Sequence, residues 1–363
     1  LVGSRVPEWG NSNLRLPKNL TPNPLPKGEG VWQSIPSPRG RGEGEGQPWF
    51  VVEGDDYRDH FLELKPYAVV ITSIEHDHPD YFRDLAHTLE SFNALTEKVP
   101  ADGFVILNED DQGCQQLRNQ IEHSLSRTTG RAIGYGKEQS IFSKLRLQVP
   151  GEFNRYNATA AATAAMELGV AQEVIEKALH EFKGIWRRFE IVGNIFPPPL
   201  TPPRQGGETK RISSPYQGEV RRGLITIISD YAHHPTAIRE TMKAAREAYP
   251  ARRLVLVYQP HQHSRTKHLF NDFVEVLKNA ADVVILSEIY AVKGRMEDRD
   301  VSSRDIVEAI NTNNSITQSL NNSIMYGGDL EQTKQVVQEQ IQPGDVIIFM
   351  GAGDIDNLAR KLI

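Results

Sequence analysis

Seven short runs of almost unbroken apolar residues, separated by helical patterns, constrain this chain more than anything else in it. They are Trp49–Val52, Tyr67–Thr72, Phe104–Leu107, Ile225–Ile228, Leu254–Tyr258, Val283–Leu286 and Val346–Met350. A strand with one wet face alternates apolar and polar residues. A strand covered on both faces does not. Between the runs lie helical patterns at Tyr156–Leu168 (Ala-rich and closed by Gly169), Pro235–Tyr249 and Leu269–Ala280. Buried strands alternating with helices predict an α/β fold, with parallel sheets clad on both sides. Ligands of such sheets bind beyond the carboxyl ends of the strands. The chemistry is therefore expected just after each apolar run, and polar residues do cluster there.

Bulk properties exclude several classes. At 363 residues the chain suffices for two or three domains. Its net charge of −6 supplies no basic field for nucleic acid or an anionic membrane. Cys114 is the single cysteine, so no internal disulfide or cysteine metal cage forms, which fits a reducing cytoplasm. No apolar run approaches the ~20 residues of a membrane span. Residues 1–20 lack the pattern of a signal peptide. The chain starts at Leu1, within what reads as domain sequence, and is expected to be a fragment.

Two stretches, about 19–46 and about 196–222, are rich in Pro, Gly and charge and lack apolar periodicity. Such composition cannot bury enough surface to offset chain entropy. Each opens Leu-Thr-Pro, and each carries a Ser-Pro followed by Gly-Glu (Ser37-Pro38 to Gly42-Glu43; Ser214-Pro215 to Gly218-Glu219). Two such copies flanking ordinary sequence are expected to be repetitive inserts in surface loops, which tolerate added length. A Pro-rich docking site is the alternative.

Seven segments could carry chemistry. Glu53, in Val52–Tyr57, and His78, in Ile74–Asp80, follow the first two runs. They could supply the one or two protein ligands that Mg²⁺ takes; a solvated acidic loop is the plainer reading. Gly151–Ala158 opens a helix, where Asn154 or Asn157 caps it or meets a nucleobase edge. Arg187 and Arg188 lie between Trp186 and Phe189, suited to phosphate or simply solvated. Asp230, Tyr231, His233 and His234 follow one buried strand, with a helix cap by Asp230 as the plain alternative. His261, Gln262, His263 and Arg265 follow the next. Four histidines at two strand ends raise zinc, but no helical His-x-x-Glu-His spacing supports it. Gly351-Ala352-Gly353-Asp354 follows the last run, a weak anion signal on its own.

Taken in order, these segments resemble the Mur ligases. Val51–Tyr57 is similar to their VxEADE(S/Y)D and Ile74–Tyr81 to IExDHxDxY. Gly151–Ala158 is similar to GxHNxxNA, Arg187–Glu190 to RRFE, and Asp230–Thr236 to DDY(A/G)HHPT. Gln259–Thr266 resembles QPHxxSRT and Gly351–Ile355 resembles GAGDI. The resemblance implies an incomplete P-loop-type central domain over residues 1–185 and a doubly wound, Rossmann-like C-terminal domain over 186–363. It implies ATP and Mg²⁺ as cofactors, and UDP-N-acetylmuramate and L-alanine as substrates joined through an acyl phosphate in peptidoglycan synthesis. The Tyr231–Thr236 and Gln259–Thr266 pair points to the alanine-adding branch. A murein tripeptide-recycling branch shares only the first of these.

By the same resemblance, Glu53 and His78 hold Mg²⁺, and Asn154 and Asn157 lie near adenine. Arg188 meets phosphate and Asp230 the ribose. Tyr231, His233 and Arg265 face alanine and the reacting carboxylate, with the ligands in a cleft between the domains. Three departures stand out. No Gly-Lys-Thr or Gly-Lys-Ser occurs, so the phosphate loop of the family is missing. Gln262 stands where the family usually has Arg. Phe153 and Gly54 replace the usual His and Ala. Without the loop's lysine and amides the chain alone is expected not to turn over, and a non-catalytic remnant is the alternative.

Overall fold

A computed structural model of the chain describes residues 49–123, 130–196, 223–292, 299–317 and 323–363. Both irregular stretches, Phe196 apart, lie outside the described residues. The chain divides into two compact units. One holds the described residues up to Arg146 together with Arg155–His180; the other holds Leu147–Asn154 and Glu181–Ile363.

The first unit contains β1 (Ala68–Ile71), α1 (Leu85–Thr96), β2 (Phe104–Asn108), α2 (Gln112–His123), β3 (Arg131–Tyr135), α3 (Ser140–Lys144), most of α4 (Glu152–Glu167) and nearly all of α5 (Gln172–Glu181). Its three strands pair in parallel in the order β1-β2-β3. Side chains alternate faces along a strand. Val105 and Leu107 of β2 therefore join a core with Leu89, Cys114 and Leu117, while Phe104 and Ile106 join Tyr135 and Ala160 on the opposite face. Every residue of β2 is buried, which explains its unbroken apolar run. Asp84 caps α1 by accepting the His87 amide at 2.8 Å.

The second unit contains β4 (Glu190–Ile195), β5 (Ile225–Asp230), α6 (Pro235–Ala248), β6 (Leu254–Tyr258), α7 (His263–His268), α8 (Phe270–Lys278), β7 (Val283–Ser287), α9 (Ser303–Thr317), β8 (Ser323–Gly328), α10 (Leu330–Gln340), β9 (Val346–Met350) and α11 (Ile355–Lys361). The strand order is β4-β5-β9-β6-β7-β8. One face carries Ile238, Met242, Phe273 and Ile306 from α6, α8 and α9. The other carries Val337, Ile355 and Leu358 from α10 and α11. The sheet is thus wound on both sides. Each fully buried Val, Leu or Ile side chain contributes about 1.5–3 kcal/mol. Asp329 and Gln332 form a reciprocal capping box on α10.

Four expectations need correction. Trp49–Val52 is not a buried strand: all four residues are exposed and outside any ladder among the described residues. An extended run gains nothing from apolar side chains unless another strand pairs beside it. β4 runs antiparallel to β5, so the second sheet is mixed rather than wholly parallel. The cap of α6 is His234, which accepts the Thr236 amide, and not Asp230. Finally, α4 begins at Glu152, so Asn154 and Asn157 lie inside its first turns rather than at its cap.

Candidate active site

The order of the second sheet brings three carboxyl ends together. Because β9 lies between β5 and β6, the segments after all three emerge side by side. Backbone hydrogen bonds join them. The Gly351 amide donates to the Asp230 carbonyl at 3.1 Å, and the Gln259 amide to the Met350 carbonyl at 2.9 Å. The Gln259 side chain accepts the Ile355 amide at 3.1 Å. Gly351 sits at φ +145°, and a Cβ there would meet the Gln259 carbonyl at 2.5 Å, so glycine is what permits this approach.

Asp230 is the anchor of the cluster. It is 2% exposed. One carboxylate oxygen accepts the Ala232 amide at 2.7 Å and the other the Phe189 amide at 2.7 Å. Burial pushes this carboxyl above the usual aspartate range, while both amides and the Arg188 and Arg187 guanidinium groups pull it down. Both oxygens accept N–H bonds, and these favour the ionised form against the burial that opposes it.

Arg187 has a larger part than its position in a surface-type Arg pair suggested. It is 6% exposed and donates to the carbonyls of Gly351 and, at 3.1 Å, Gly353. Its guanidinium lies 5.0 Å from the Tyr231 ring centroid and 5.4 Å from that of Trp186. Arg188 lies over the same Tyr231 ring at 5.3 Å. The Tyr231 amide donates to the Arg187 carbonyl at 2.8 Å. The Arg pair and the strand-end Tyr therefore form one assembly.

Beyond Tyr231 the rings continue. His233 meets Tyr231 edge-on at 5.3 Å, His261 lies 5.7 Å from His233, and Tyr290 stacks on His261 at 5.5 Å and 9°. Arg265 is 2% exposed and approaches His261 Nδ1 at 3.3 Å. Gln262 is 3% exposed, adopts φ +72°, and its side-chain oxygen has no hydrogen-bond partner among the described residues. Of the residues expected from sequence, Arg188, Asp230, Tyr231, His233 and Arg265 converge here. Tyr290 was not foreseen. Its signal was its place four residues past the apolar run that became β7.

The first unit holds a separate cluster. His78 adopts φ +54°, and its Nε2 lies 3.8 Å from Asp56 Oδ1 and 3.9 Å from Asp77 Oδ2. Its Nδ1 is buried without a partner among the described residues. The Tyr57 ring lies 5.0 Å away, and its hydroxyl donates to Asp80 at 2.9 Å. Burial raises the Asp56 carboxyl, partly offset by His78. Glu53 is exposed. Among the described residues no group of three or more His, Cys, Asp or Glu side chains could hold a metal ion. Asn154 donates its side-chain amide to the Pro150 carbonyl at 2.6 Å, and Asn157 is exposed on α4. No described helix is long and apolar enough to cross a membrane.

A doubly wound domain with Asp, Tyr, His and Arg crowded at adjoining strand ends defines a ligand-handling α/β protein. The Mur ligase middle domain matches residues 50–165, and the Mur ligase glutamate ligase domain matches residues 217–353. The UDP-N-acetylmuramate–L-alanine ligase of Lachnospira eligens is 33% identical over 353 residues, covering 92% of this chain and 68% of that protein. The ligase of the same name from Caldanaerobacter subterraneus is 30% identical over 333 residues, covering 87% of this chain and 64% of that protein. The crystal structure of UDP-N-acetylmuramate–alanine ligase from Thermotoga maritima superposes with a TM-score of 0.54 at 21% identity, covering 84% of this chain and 60% of that one. The chain belongs to the Mur ligase family and spans roughly two thirds of the length of these relatives.

Proposed function

We propose that this chain carries the nucleotide- and amino-acid-handling parts of an ATP-dependent ligase that joins L-alanine to the carboxylate of UDP-N-acetylmuramate in peptidoglycan synthesis. The observation that supports this best is the convergence of Tyr231, His233 and Arg265 with the Gly351–Gly353 turn, in a chain whose relatives carry that ligase name. The γ-phosphoryl group of ATP passes to the muramyl carboxylate, giving an acyl phosphate and ADP. The amine of alanine attacks the acyl carbon, and phosphate leaves. In such chemistry the protein positions groups and neutralises charge.

Each residue takes a part. Arg265 offers a planar fork that matches the alanine carboxylate. Arg188 is held over Tyr231 to meet phosphate. Asn154 and Asn157 serve the adenine. The saturated carboxylate of Asp230 fits the positioning of Arg188 and Tyr231, with any ribose contact made through that assembly. Mg²⁺ takes only one or two protein ligands. His78, with an unpartnered buried nitrogen and two carboxylates within 4 Å, fits such a partial shell, and Glu53 would join it. When bound, the ion would neutralise charge on the ATP phosphates.

The test is phosphate release by the protein carrying this chain, given UDP-N-acetylmuramate, ATP, Mg²⁺ and L-alanine. Release should depend on alanine. His78→Ala should lower it by about 100-fold or more, with excess Mg²⁺ restoring part of the rate. Absence of alanine-dependent release from folded protein would favour the non-catalytic reading.

A further inference from the structure

The opposite end of the second sheet gathers arginines. Arg252 and Arg253 precede β6, Asp282 precedes β7, Ser323 opens β8 and Gln340 closes α10 ahead of β9. With Arg246 of α6, these residues line an open depression of about 590 Å³, wholly within the second unit. It lies roughly 20 Å from the strand-end cluster, at about 3.3 Å per residue from Arg253 along β6 to Gln259. Arg252 is fully engaged. It donates to the carbonyls of Gly344, Leu224 and Asp345 and to the Thr226 hydroxyl, at 2.6–2.8 Å. None of these acceptors is a carboxylate. Arg246 pairs with Asp282 at 2.7 Å, and Arg253 with buried Asp345 at 3.1 Å. The two carboxylates balance two of the three guanidinium charges, so one positive charge remains in a chain whose net charge is −6.

Unused donors accompany that charge. Both internal bonds of the Arg253 side chain, to Asp345 and to the Gln340 carbonyl, come from Nη1. Its Nε and Nη2 have no hydrogen-bond partner among the described residues, and neither is a buried atom. They share one edge of the planar guanidinium with their N–H bonds side by side, the fork that takes an oxyanion bidentately. The Nε of exposed Arg246 and the hydroxyl of exposed Ser323 likewise make no hydrogen bond among the described residues. We propose that this depression is a binding site for a phosphate-bearing small molecule, with the Arg253 fork, Arg246 and Ser323 as its donors. A phosphate monoester carries about −1.5 to −2 charges near neutral pH and presents three acceptor oxygens. Arg253 takes two of them side-on, and Arg246 and Ser323 serve the third. A carboxylate has two oxygens, which the fork alone satisfies. The volume exceeds that of one phosphate group and leaves room for the organic body of the ligand. The site is separate from the residues assigned to the ligase chemistry and does not depend on that reading.

Inorganic phosphate is the probe. The full 363-residue chain, labelled with ¹⁵N-arginine and ¹⁵N-serine, is titrated at neutral pH with chloride holding the ionic strength constant. The Arg253 Nε–H and Ser323 amide signals should shift together and saturate with a Kd of about 1 mM or tighter. Arg253→Lys keeps a charge beside Asp345 but loses the fork, and the Ser323 signal should report binding weakened by about tenfold. Ser323→Asp sets a carboxylate in the depression at an exposed position, and the Arg253 signal should report a loss of about tenfold or more. If Arg253→Lys does not fold, Ser323→Asp carries the test alone. Arg188→Gln, in the strand-end cluster, should leave both shifts as they are. Shifts no larger than chloride gives, equal shifts with acetate, or undiminished binding in Ser323→Asp would overturn the site.

Discussion

Asp230→Asn should lower the melting temperature by roughly 6–12 °C, although the side chains are nearly isosteric. The reason is the donor count. Each Asp230 oxygen accepts a buried backbone amide, from Ala232 and from Phe189. Asparagine offers one acceptor oxygen, and its NH₂ would face the other amide, donor against donor. A lost charge-assisted bond plus a stranded N–H costs about 3 kcal/mol, and 1 kcal/mol corresponds to about 2–4 °C in a domain of this size. Calorimetry of the two proteins at neutral pH measures this directly. A shift under about 1 °C would mean that Asp230 does not organise the strand-end cluster.

Arg187→Lys is the second large effect. The guanidinium of Arg187 serves two carbonyls of the Gly351–Gly353 turn and lies against two aromatic rings. Lysine keeps the charge but lacks the planar fork, and a buried ammonium is harder to desolvate. Burial already holds the Arg187 pKa below the ordinary arginine value, with Asp356, Tyr231 and Asp230 pulling it back up. The expected cost is about 2–3 kcal/mol, with amide exchange at Gly351 and Ile355 faster by about tenfold or more. Those amides bond to Asp230 and Gln259 across the turn that Arg187 ties down. Unchanged exchange would return Arg187 to the solvated surface pair that its sequence context suggested.

The sequence made much of this legible because burial on both faces leaves an unmistakable mark. Leu254–Tyr258 and Val346–Met350 are apolar throughout because alternate residues feed the two opposite cores. The same logic misled at Trp49–Val52, where composition matched a strand but no paired neighbour is found among the described residues. Arg131–Tyr135 and Ser323–Gly328 escaped notice because they lie at sheet edges, and their Gly residues and half-buried positions break the apolar run. The strand-end cluster was legible as a set of polar residues following strands. Its internal roles were not. That Asp230 is saturated by amides, that Arg187 faces inward, and that Tyr290 stacks on His261 all depend on strand order, which no local pattern encodes.

The central claim is that the muramyl carboxylate is activated by phosphorylation before the amine attacks. It is tested most directly with UDP-N-acetylmuramate carrying ¹⁸O in both carboxylate oxygens, incubated with the protein, ATP, Mg²⁺ and L-alanine, with the released phosphate weighed by mass spectrometry. An acyl phosphate route predicts one ¹⁸O in each phosphate and one retained in the amide product. Phosphate released without ¹⁸O alongside alanine-dependent turnover would contradict the mechanism, and no alanine-dependent phosphate at all would contradict the ligase.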